Sequence, residues 1–201
     1  MDTFTKTQKK LRNYTDPVVA PPRVRDSTDL MRSVLMNEGI EDEEILTNTP
    51  GRWIGALREF LGEGHKEWDF TTFPSDATNM VIEEKIPFAS LCAHHLLPFF
   101  GYASVAYIPQ GRVAGLSKLG RVVQTVCYGL WSQEELCDEI MHYLNRELEP
   151  KGSAVVMKAE HTCMSVRGVK MGGVLTTTSS MSGVFLDNTN NARAEFMALI
   201  K

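Results

Sequence analysis

The architecture is best approached from residues 92–111, which have the sequence CAHHLLPFFGYASVAYIPQG. From Phe99 to Ile108 the chain is rich in aromatic, β-branched and small residues and contains no proline, a pattern that predicts a β-strand. Pro109-Gln110-Gly111 then predicts a hairpin turn. A cysteine and two histidines stand just before the strand, so the same segment also carries candidate metal ligands.

Outward from this segment, strand patterns and helix patterns come in groups. Strands are predicted at 79–86, 99–108, 112–116, 154–166 and 173–185. Helices are predicted from Asp26 to a stop at Gly39, from the Thr49-Pro50 start to Gly62, over 119–126, from the capping box Ser132-Gln133-Glu134-Glu135 to Pro150, and over 191–200. Strands joined as hairpins, with helices grouped between them, predict an α+β fold with an antiparallel sheet.

Composition sets the broad class of protein. The chain has 201 residues and a formal net charge of −4, so it lacks the basic excess of proteins that grip nucleic acid. It has no apolar run long enough for a membrane span and no secretory signal, which predicts a cytoplasmic protein. Residues 1–25 are interpreted as a mobile N-terminal arm, and residues 26–201 as one domain that opens with helices over 26–64.

Two short clusters carry the candidate metal ligands. Cys92 and His95 are three residues apart with His94 between them, and His161 and Cys163 come later in the chain. On a strand over 154–166, residues two apart face the same side, so His161 and Cys163 are predicted to point together, with Arg167 in the same parity. Zinc accepts such thiols and imidazoles. A catalytic site with three protein ligands and a closed structural Cys₂His₂ site both remain open at this point.

The other cysteines and histidines lie apart from these clusters. Cys127 and Cys137 fall within predicted helices and are interpreted as core residues. His65 and His142 have no neighbouring cluster and are interpreted as surface or interface residues.

The ordered motifs resemble the GTP cyclohydrolase I family from about residue 28 to the C terminus. The segments that carry the resemblance are TPGR at 49–52, CAHHLLPF at 92–99, GLSKLGRVV at 115–123, SQE at 132–134, HTCMSVRGV at 161–169 and TTTS at 176–179. The resemblance implies a tunnelling fold (T-fold), in which the sheets of several subunits form a barrel, and a homodecamer with shared active sites. It also implies a Zn²⁺ ion held by Cys92, His95 and Cys163, with His94 and His161 as free imidazoles.

The activity implied by the resemblance is hydrolysis of GTP. Water activated by zinc opens the imidazole ring at C8, formate leaves, and 7,8-dihydroneopterin triphosphate forms, a product that can feed folate, biopterin or 7-deazaguanine synthesis. His94 or His161 would protonate N7, and His161 would serve the ribose steps. Glu134 would hold guanine with Gln133 beside it. The residues matching phosphate-binding positions are Ser117, Lys118, Arg121, Arg167 and, from a neighbouring subunit, Arg52.

Three positions depart from the family pattern. Ala93 replaces a glutamate, Gly55 replaces a lysine, and Glu135 stands where arginine is usual. Two alternatives therefore stand beside the GTP hydrolase: a T-fold enzyme acting on another purine or pterin, and a non-catalytic assembly stabilised by zinc. The first alternative predicts loss of a zinc ligand or of Glu134, and the second predicts loss of the spare histidines. None of these residues is missing.

Overall fold

The computed structural model describes residues 26–187 and 189–200. The chain forms two compact units, Met1–Gly55 and Ala56–Lys201, and the division falls inside a helix. The predicted arm at 1–25 lies outside the described residues, and the single domain predicted over 26–201 stays a prediction. Among the described residues, no helix combines the length and the apolar character that crossing a bilayer requires.

The N-terminal unit contains helix α1, Ser27–Asn37, and most of helix α2, Glu43–Phe60. The start of α1 is as predicted, because the Asp26 side chain accepts a hydrogen bond from the Thr28 N–H at 2.7 Å. The predicted start of the second helix at Thr49-Pro50 is wrong. Asp42 caps that helix earlier by accepting from the N–H groups of Glu44 and Ile45, so Pro50 is buried inside it.

The second unit is built on seven strands and four helices among the described residues. In chain order the strands are β1 (Thr72–Pro74), β2 (Val81–Cys92), β3 (Pro98–Ile108), β4 (Arg112–Ala114), β5 (Leu130–Trp131), β6 (Gly152–His161) and β7 (Thr176–Met181). The helices are α3 (Leu116–Val126), α4 (Gln133–Leu148), the short α5 (Thr162–Ser165) and α6 (Ala192–Leu199). A 3₁₀ turn occupies Gly183–Phe185.

Five strands form the main sheet, in the order β5-β2-β3-β6-β7. Its long neighbours are antiparallel, as predicted, and only the two-residue β5 runs parallel to β2. The α+β class is therefore confirmed. The predicted hairpin after β3 is wrong, because β4 pairs with β1 in a separate two-stranded sheet. Strand β2 also runs further than predicted, through a bulge between Glu83 and Ile86 that interrupts its alternation.

The two faces of the sheet are covered by different elements. Helices α3 and α4 bury the larger apolar cluster against one face, where Leu119, Val123 and Ile140 have 1%, 0% and 0% of their surface exposed. Phe185 and Phe196, from the 3₁₀ turn and α6, cover part of the opposite face. Alternating residues of β6 supply both clusters, as the period of a strand requires. This sandwich fixes the strand ends that carry the polar clusters.

Candidate metal centre

A tight turn between β2 and β3 brings the first two candidate ligands together. The carbonyl of Cys92 accepts hydrogen bonds from the N–H groups of His95, at 3.3 Å, and Leu96, at 2.9 Å, and the Cys92 N–H donates to the Leu97 carbonyl at 2.9 Å. Leu96 adopts a left-handed backbone with φ 54°, a conformation that costs an L-residue roughly 1–2 kcal/mol. The turn thus keeps the Cys92 thiol and the His95 imidazole on one side of the strand end.

The third candidate ligand, Cys163, lies in a helix and not on the strand that was predicted to carry it. Strand β6 ends at His161, and Cys163 lies in the four-residue helix α5, so the predicted strand over 154–166 is too long. The prediction that His161 and Cys163 point together by strand parity is therefore wrong. The Thr162 hydroxyl donates to the Pro98 carbonyl at 2.6 Å, which ties α5 to the start of β3. The helical turn then carries Cys163 towards the Cys92 strand end.

Cys92, His95 and Cys163 form one group whose ligand atoms all lie within 4.8 Å of one another. Two sulfurs and an imidazole nitrogen are a donor set that zinc accepts in tetrahedral geometry. Over residues 26–187 and 189–200, no further histidine, cysteine or carboxylate joins the group. The residues present fit a metal ion held by three protein ligands.

The thiols show why a cation suits this position. Burial raises the pKa of Cys163, and the adjacent Cys92 thiol raises it further, because a second negative sulfur beside the first is unfavourable. The positive charge of Arg167 acts on the Cys163 pKa in the opposite direction. Arg167 therefore lies close enough to the cluster to influence it electrostatically, although its side chain is exposed.

His94 and His95 are distinguished by geometry rather than by exposure. Both rings are exposed, and each places Nδ1 at 3.8 Å from the Cys92 sulfur. Only His95 also meets Cys163 within the ligand group. His94 remains beside the cluster as an imidazole outside the ligand set.

His161 lies half-buried at the end of β6. Its ring lies parallel to the fully buried Phe99 ring, with centroids 4.7 Å apart and an interplanar angle of 1°, and its Nε2 is 2.8 Å from Gln133 Oε1. Burial lowers the pKa of His161, and the negative charge of Glu134 partly opposes that shift. Strand pairing explains the stacking, because Phe99 on β3 lies opposite His161 on β6.

Two neighbouring carboxylates at the start of α4, Glu134 and Glu135, have different surroundings. The Ser132 hydroxyl accepts from the Glu135 N–H at 3.2 Å, which confirms the predicted cap at Ser132, and it donates to the Glu135 carboxylate at 3.1 Å, so the return contact of the predicted capping box uses the hydroxyl and not the backbone N–H. Glu135, and not Glu134, therefore supplies the carboxylate of this cap. Glu134 is exposed, and no hydrogen bond or ion pair engages its carboxylate among the described residues.

Gln133 lies beside Glu134 in sequence but inside the protein. Its side chain is only 2% exposed, although it was predicted to contact substrate. Its amide nitrogen donates to the carbonyls of Met157 and Thr176 and to the Thr178 hydroxyl. All of its polar atoms are thus engaged with protein groups.

Three of the predicted phosphate-binding residues, Ser117, Lys118 and Arg121, lie on α3. Ser117 is exposed in the first turn of α3, and Lys118 Nζ donates to the Asp69 carbonyl at 2.8 Å and lies 5.4 Å from the Trp68 ring centre. The Arg121 guanidinium is 6.0 Å from the same ring. Arg52 lies on α2 in the N-terminal unit, exposed and 3.8 Å from Glu44.

Two functional neighbours were missed from sequence. Phe99 forms the surface against which His161 stacks, and Trp68 holds two of the cationic side chains. Phe99 could have been found by pairing the two predicted strands that lie next to the polar clusters, because that pairing sets Phe99 opposite His161. Nothing in the local sequence around Trp68 signals its contact with α3.

The fold and the cluster together define a class: an α+β protein with an open group of metal-ligating thiols and imidazole at its strand ends. The chain matches GTP cyclohydrolase I over residues 28–201. It is 46% identical over 171 residues to GTP cyclohydrolase 1 of Sulfurihydrogenibium sp. (strain YO3AOP1), covering 83% of this chain and 90% of that protein. It is 45% identical over 172 residues to GTP cyclohydrolase 1 of Aquifex aeolicus (strain VF5), covering 83% and 92%.

The chain therefore belongs to the GTP cyclohydrolase I family, a family of hydrolases. This confirms the resemblance drawn from the motifs. A solved structure, the apo form of the archaeosine synthase QueF-Like, aligns with 54% of this chain and 97% of that chain at a TM-score of 0.43 and 20% identity.

Proposed function

We propose that this chain hydrolyses GTP at C8, opens the imidazole ring, releases formate and forms 7,8-dihydroneopterin triphosphate. The observation that carries the proposal is the meeting of Cys92, His95 and Cys163 without a fourth protein ligand among the described residues. Catalytic zinc sites keep one position free of protein ligands, whereas structural sites use four. The geometry thus favours catalysis over the closed structural alternative.

The metal we propose is Zn²⁺, because two thiols and one imidazole suit a borderline-soft ion. When bound, zinc supplies Lewis acidity that makes water nucleophilic near neutral pH. The residues of this chain hold the ion, and their sulfur and nitrogen atoms already lie within 4.8 Å of one another.

Proton transfer falls to the two imidazoles outside the ligand set. Addition of water at C8 pushes electrons towards N7, which must then take a proton, and hydrolysis of the resulting formamide consumes a second water as formate leaves. His94 stands beside Cys92 at 3.8 Å, and His161 is held at the end of β6 against Phe99. Both side chains are imidazoles, the side chain used most often in general acid–base catalysis. We assign the ribose steps to His161.

Guanine recognition is assigned to Glu134. A carboxylate accepts two hydrogen bonds from guanine N1–H and the exocyclic amine, a pair of donors that adenine does not present in that array. Glu135 serves the helix cap, so the Glu134 carboxylate is the one at this helix start that is available to a ligand. Its charge acts on the His161 pKa, which indicates that the base-binding group and the imidazole are near one another.

We assign the triphosphate to Arg167, whose charge acts on Cys163, and to Lys118, Arg121 and the Ser117 hydroxyl of α3. Guanidinium groups match phosphate oxygens in geometry and charge. We further propose that Arg52 reaches the site from a neighbouring subunit of a homodecamer. A cytoplasmic location is supported by four cysteines that are all free thiols.

The test is incubation of the zinc-loaded protein with GTP, with the product identified by mass and formate measured separately. We expect one formate per GTP consumed and a product of the mass of dihydroneopterin triphosphate. ATP is the matched control, because it carries the same triphosphate and ribose. Equal turnover of ATP, or zinc-loaded protein that leaves GTP intact, would contradict the proposal. Native mass spectrometry of the same sample measures the number of subunits.

A further inference from the structure

Gln133 is a buried polar side chain whose every hydrogen bond is accounted for. Its NH₂ group has two hydrogens and three acceptors within reach, Met157 O at 3.2 Å, Thr176 O at 3.0 Å and Thr178 Oγ1 at 3.1 Å, so one hydrogen is shared between two of them. Its Oε1 atom is 2.8 Å from His161 Nε2. With 2% of its surface exposed, it has no room to exchange these partners for solvent.

The orientation of the Gln133 amide follows from its surroundings. Carbonyl oxygens only accept hydrogen bonds, so the side facing Met157 O and Thr176 O must be the NH₂ group. The reverse orientation would set an amide oxygen against two carbonyl oxygens in a buried place, with two donors lost. The amide oxygen therefore faces His161, and it can only accept.

This orientation fixes the position of a hydrogen on His161. Because Gln133 Oε1 accepts, His161 Nε2 must carry the hydrogen that it donates across the 2.8 Å contact. In the neutral ring, Nδ1 then holds the lone pair. Within residues 26–187 and 189–200, no group hydrogen-bonds to His161 Nδ1. The parallel Phe99 ring fixes the plane of the imidazole, and Gln133 fixes its rotation within that plane.

We propose that Gln133 is a positioning residue that holds His161 in the Nε2–H tautomer, so that Nδ1 is the atom that takes and returns protons during catalysis. This inference rests on the proposed function and replaces the expected contact of Gln133 with substrate. Nδ1 takes a proton from a substrate hydroxyl or water, and Nε2–H stays on Gln133 while the ring is cationic. The same Nδ1–H later passes to a substrate atom, which restores the neutral tautomer without net redox change.

The competing explanation is that Gln133 only joins α4 to β6 and β7. That role needs the three Nε2 contacts but makes no use of the Oε1 contact with His161. A readout of the tautomer separates the two explanations, because joining secondary-structure elements does not require a particular protonated nitrogen.

The experiment is magic-angle-spinning NMR of the zinc-loaded full chain labelled with ¹⁵N-histidine, at about pH 8.5 where an ordinary histidine is neutral. The His161 signals are identified by their loss in His161→Asn. We expect a single neutral tautomer with the hydrogen on Nε2. In Gln133→Met, which keeps the length but removes the acceptor, we expect both tautomers. A wild-type ring carrying its hydrogen on Nδ1, or a Gln133→Met ring still wholly Nε2–H, would overturn the inference.

A matched control is Thr178→Val, which removes one acceptor of Nε2 and keeps Oε1 on His161. We expect it to retain the Nε2–H tautomer, and a mixture there would assign the effect to loosened packing instead. Should Gln133→Met fail to fold, Gln133→Glu serves as the second variant. A neutral glutamic acid can donate to one carbonyl and still accept from His161, so the single tautomer should persist, and its loss would count against the proposal.

Kinetics add a second readout. An even division between tautomers lowers kcat only about twofold, but Gln133→Met also frees the rotation of the ring, so kcat should fall by about tenfold or more, out of the 10²–10⁴-fold that a general acid–base group contributes. The KM for GTP should change by less than about twofold, whereas a substrate-binding role predicts a rise in KM. The NMR result requires no GTP: if GTP is not turned over while the tautomer is as expected, the proposed function fails and the positioning of His161 stands.

Discussion

Two pairs of cysteines occupy contrasting regions of the same domain. Cys92 is the buried last residue of β2 and Cys163 lies half-buried in the four-residue helix α5, and their sulfurs share a group with His95. Cys127 and Cys137 lie in the apolar layer between the sheet and helices α3 and α4, with 4% and 1% of their surface exposed.

The thiols of Cys127 and Cys137 are unreactive because they are buried among apolar side chains. Burial raises the pKa of Cys127 and of Cys137 to about 12, so both remain protonated thiols near neutral pH. Cys137 donates only a weak contact to the Val155 carbonyl, at 3.7 Å. The comparison teaches that partners within reach, not residue type, decide which thiols ligate. The predicted core role of Cys127 and Cys137 is confirmed.

The largest expected effect is the loss of zinc and activity on replacing a cysteine of the ligand group, compared with replacing a cysteine of the core. Cys163→Ser should abolish stoichiometric zinc and lower formate release by at least about 100-fold, because changes even to groups that only orient ligands cost about 10–100-fold. Metal is measured by elemental mass spectrometry and formate by coupled assay. Cys137→Ala is the control and should keep full zinc content. Equal zinc in both variants would remove the distinction between the pairs.

The next effect concerns the two histidines beside Cys92. His95→Ala should lose zinc and activity together, because His95 belongs to the ligand group. His94→Ala should keep zinc while kcat falls by about 10²-fold, the size of a lost general acid or base. Zinc titration of each apo protein checks the first part, and steady-state kinetics the second. Zinc loss in His94→Ala alone would reverse the assignment.

A smaller effect is expected for the adjacent carboxylates of α4. Glu134→Gln should leave zinc bound and raise the KM for GTP by about tenfold or more, the cost of losing hydrogen bonds to a charged acceptor. Glu135→Gln should leave the KM unchanged and lower the free energy of unfolding by about 1 kcal/mol at most, because it weakens only the cap. Both are measured by initial rates and urea unfolding. An unchanged KM in Glu134→Gln would refute its role in guanine binding.

The smallest expected effect is the chemical modification of the Cys127 and Cys137 thiols. Because the pKa of Cys127 and of Cys137 is about 12, on the order of one in ten thousand of these thiols is ionised at about pH 8. Burial also keeps the reagent from reaching them. After zinc is chelated, iodoacetamide should modify Cys163, which is the one cysteine of the four that is not buried, while leaving Cys127 and Cys137 unmodified until the chain unfolds. Peptide mass mapping identifies the sites. Rapid native modification of Cys137 would show that the apolar layer opens.

Much of this molecule follows from local pattern. The cap at Asp26, the capping box of Ser132 and Glu135, and the strand over 99–108 were predicted because each depends on neighbouring residues. The second helix was placed too late because Pro50 resembles a helix start, whereas Asp42 provides the real cap. The strand containing His161 was extended too far because α5 is fixed by a distant contact with Pro98.

By itself the sequence determined the family, the α+β class and the identity of the candidate ligands, since these depend on which residues are present and in what order. The family resemblance already implied His95, rather than His94, as the ligand, and only the tertiary structure decided how close the three ligands lie and that Gln133 faces inward while Glu134 faces outward. The physical reason is that such choices depend on ångström-scale distances between segments far apart in the chain. Those distances are set by sheet pairing and core packing.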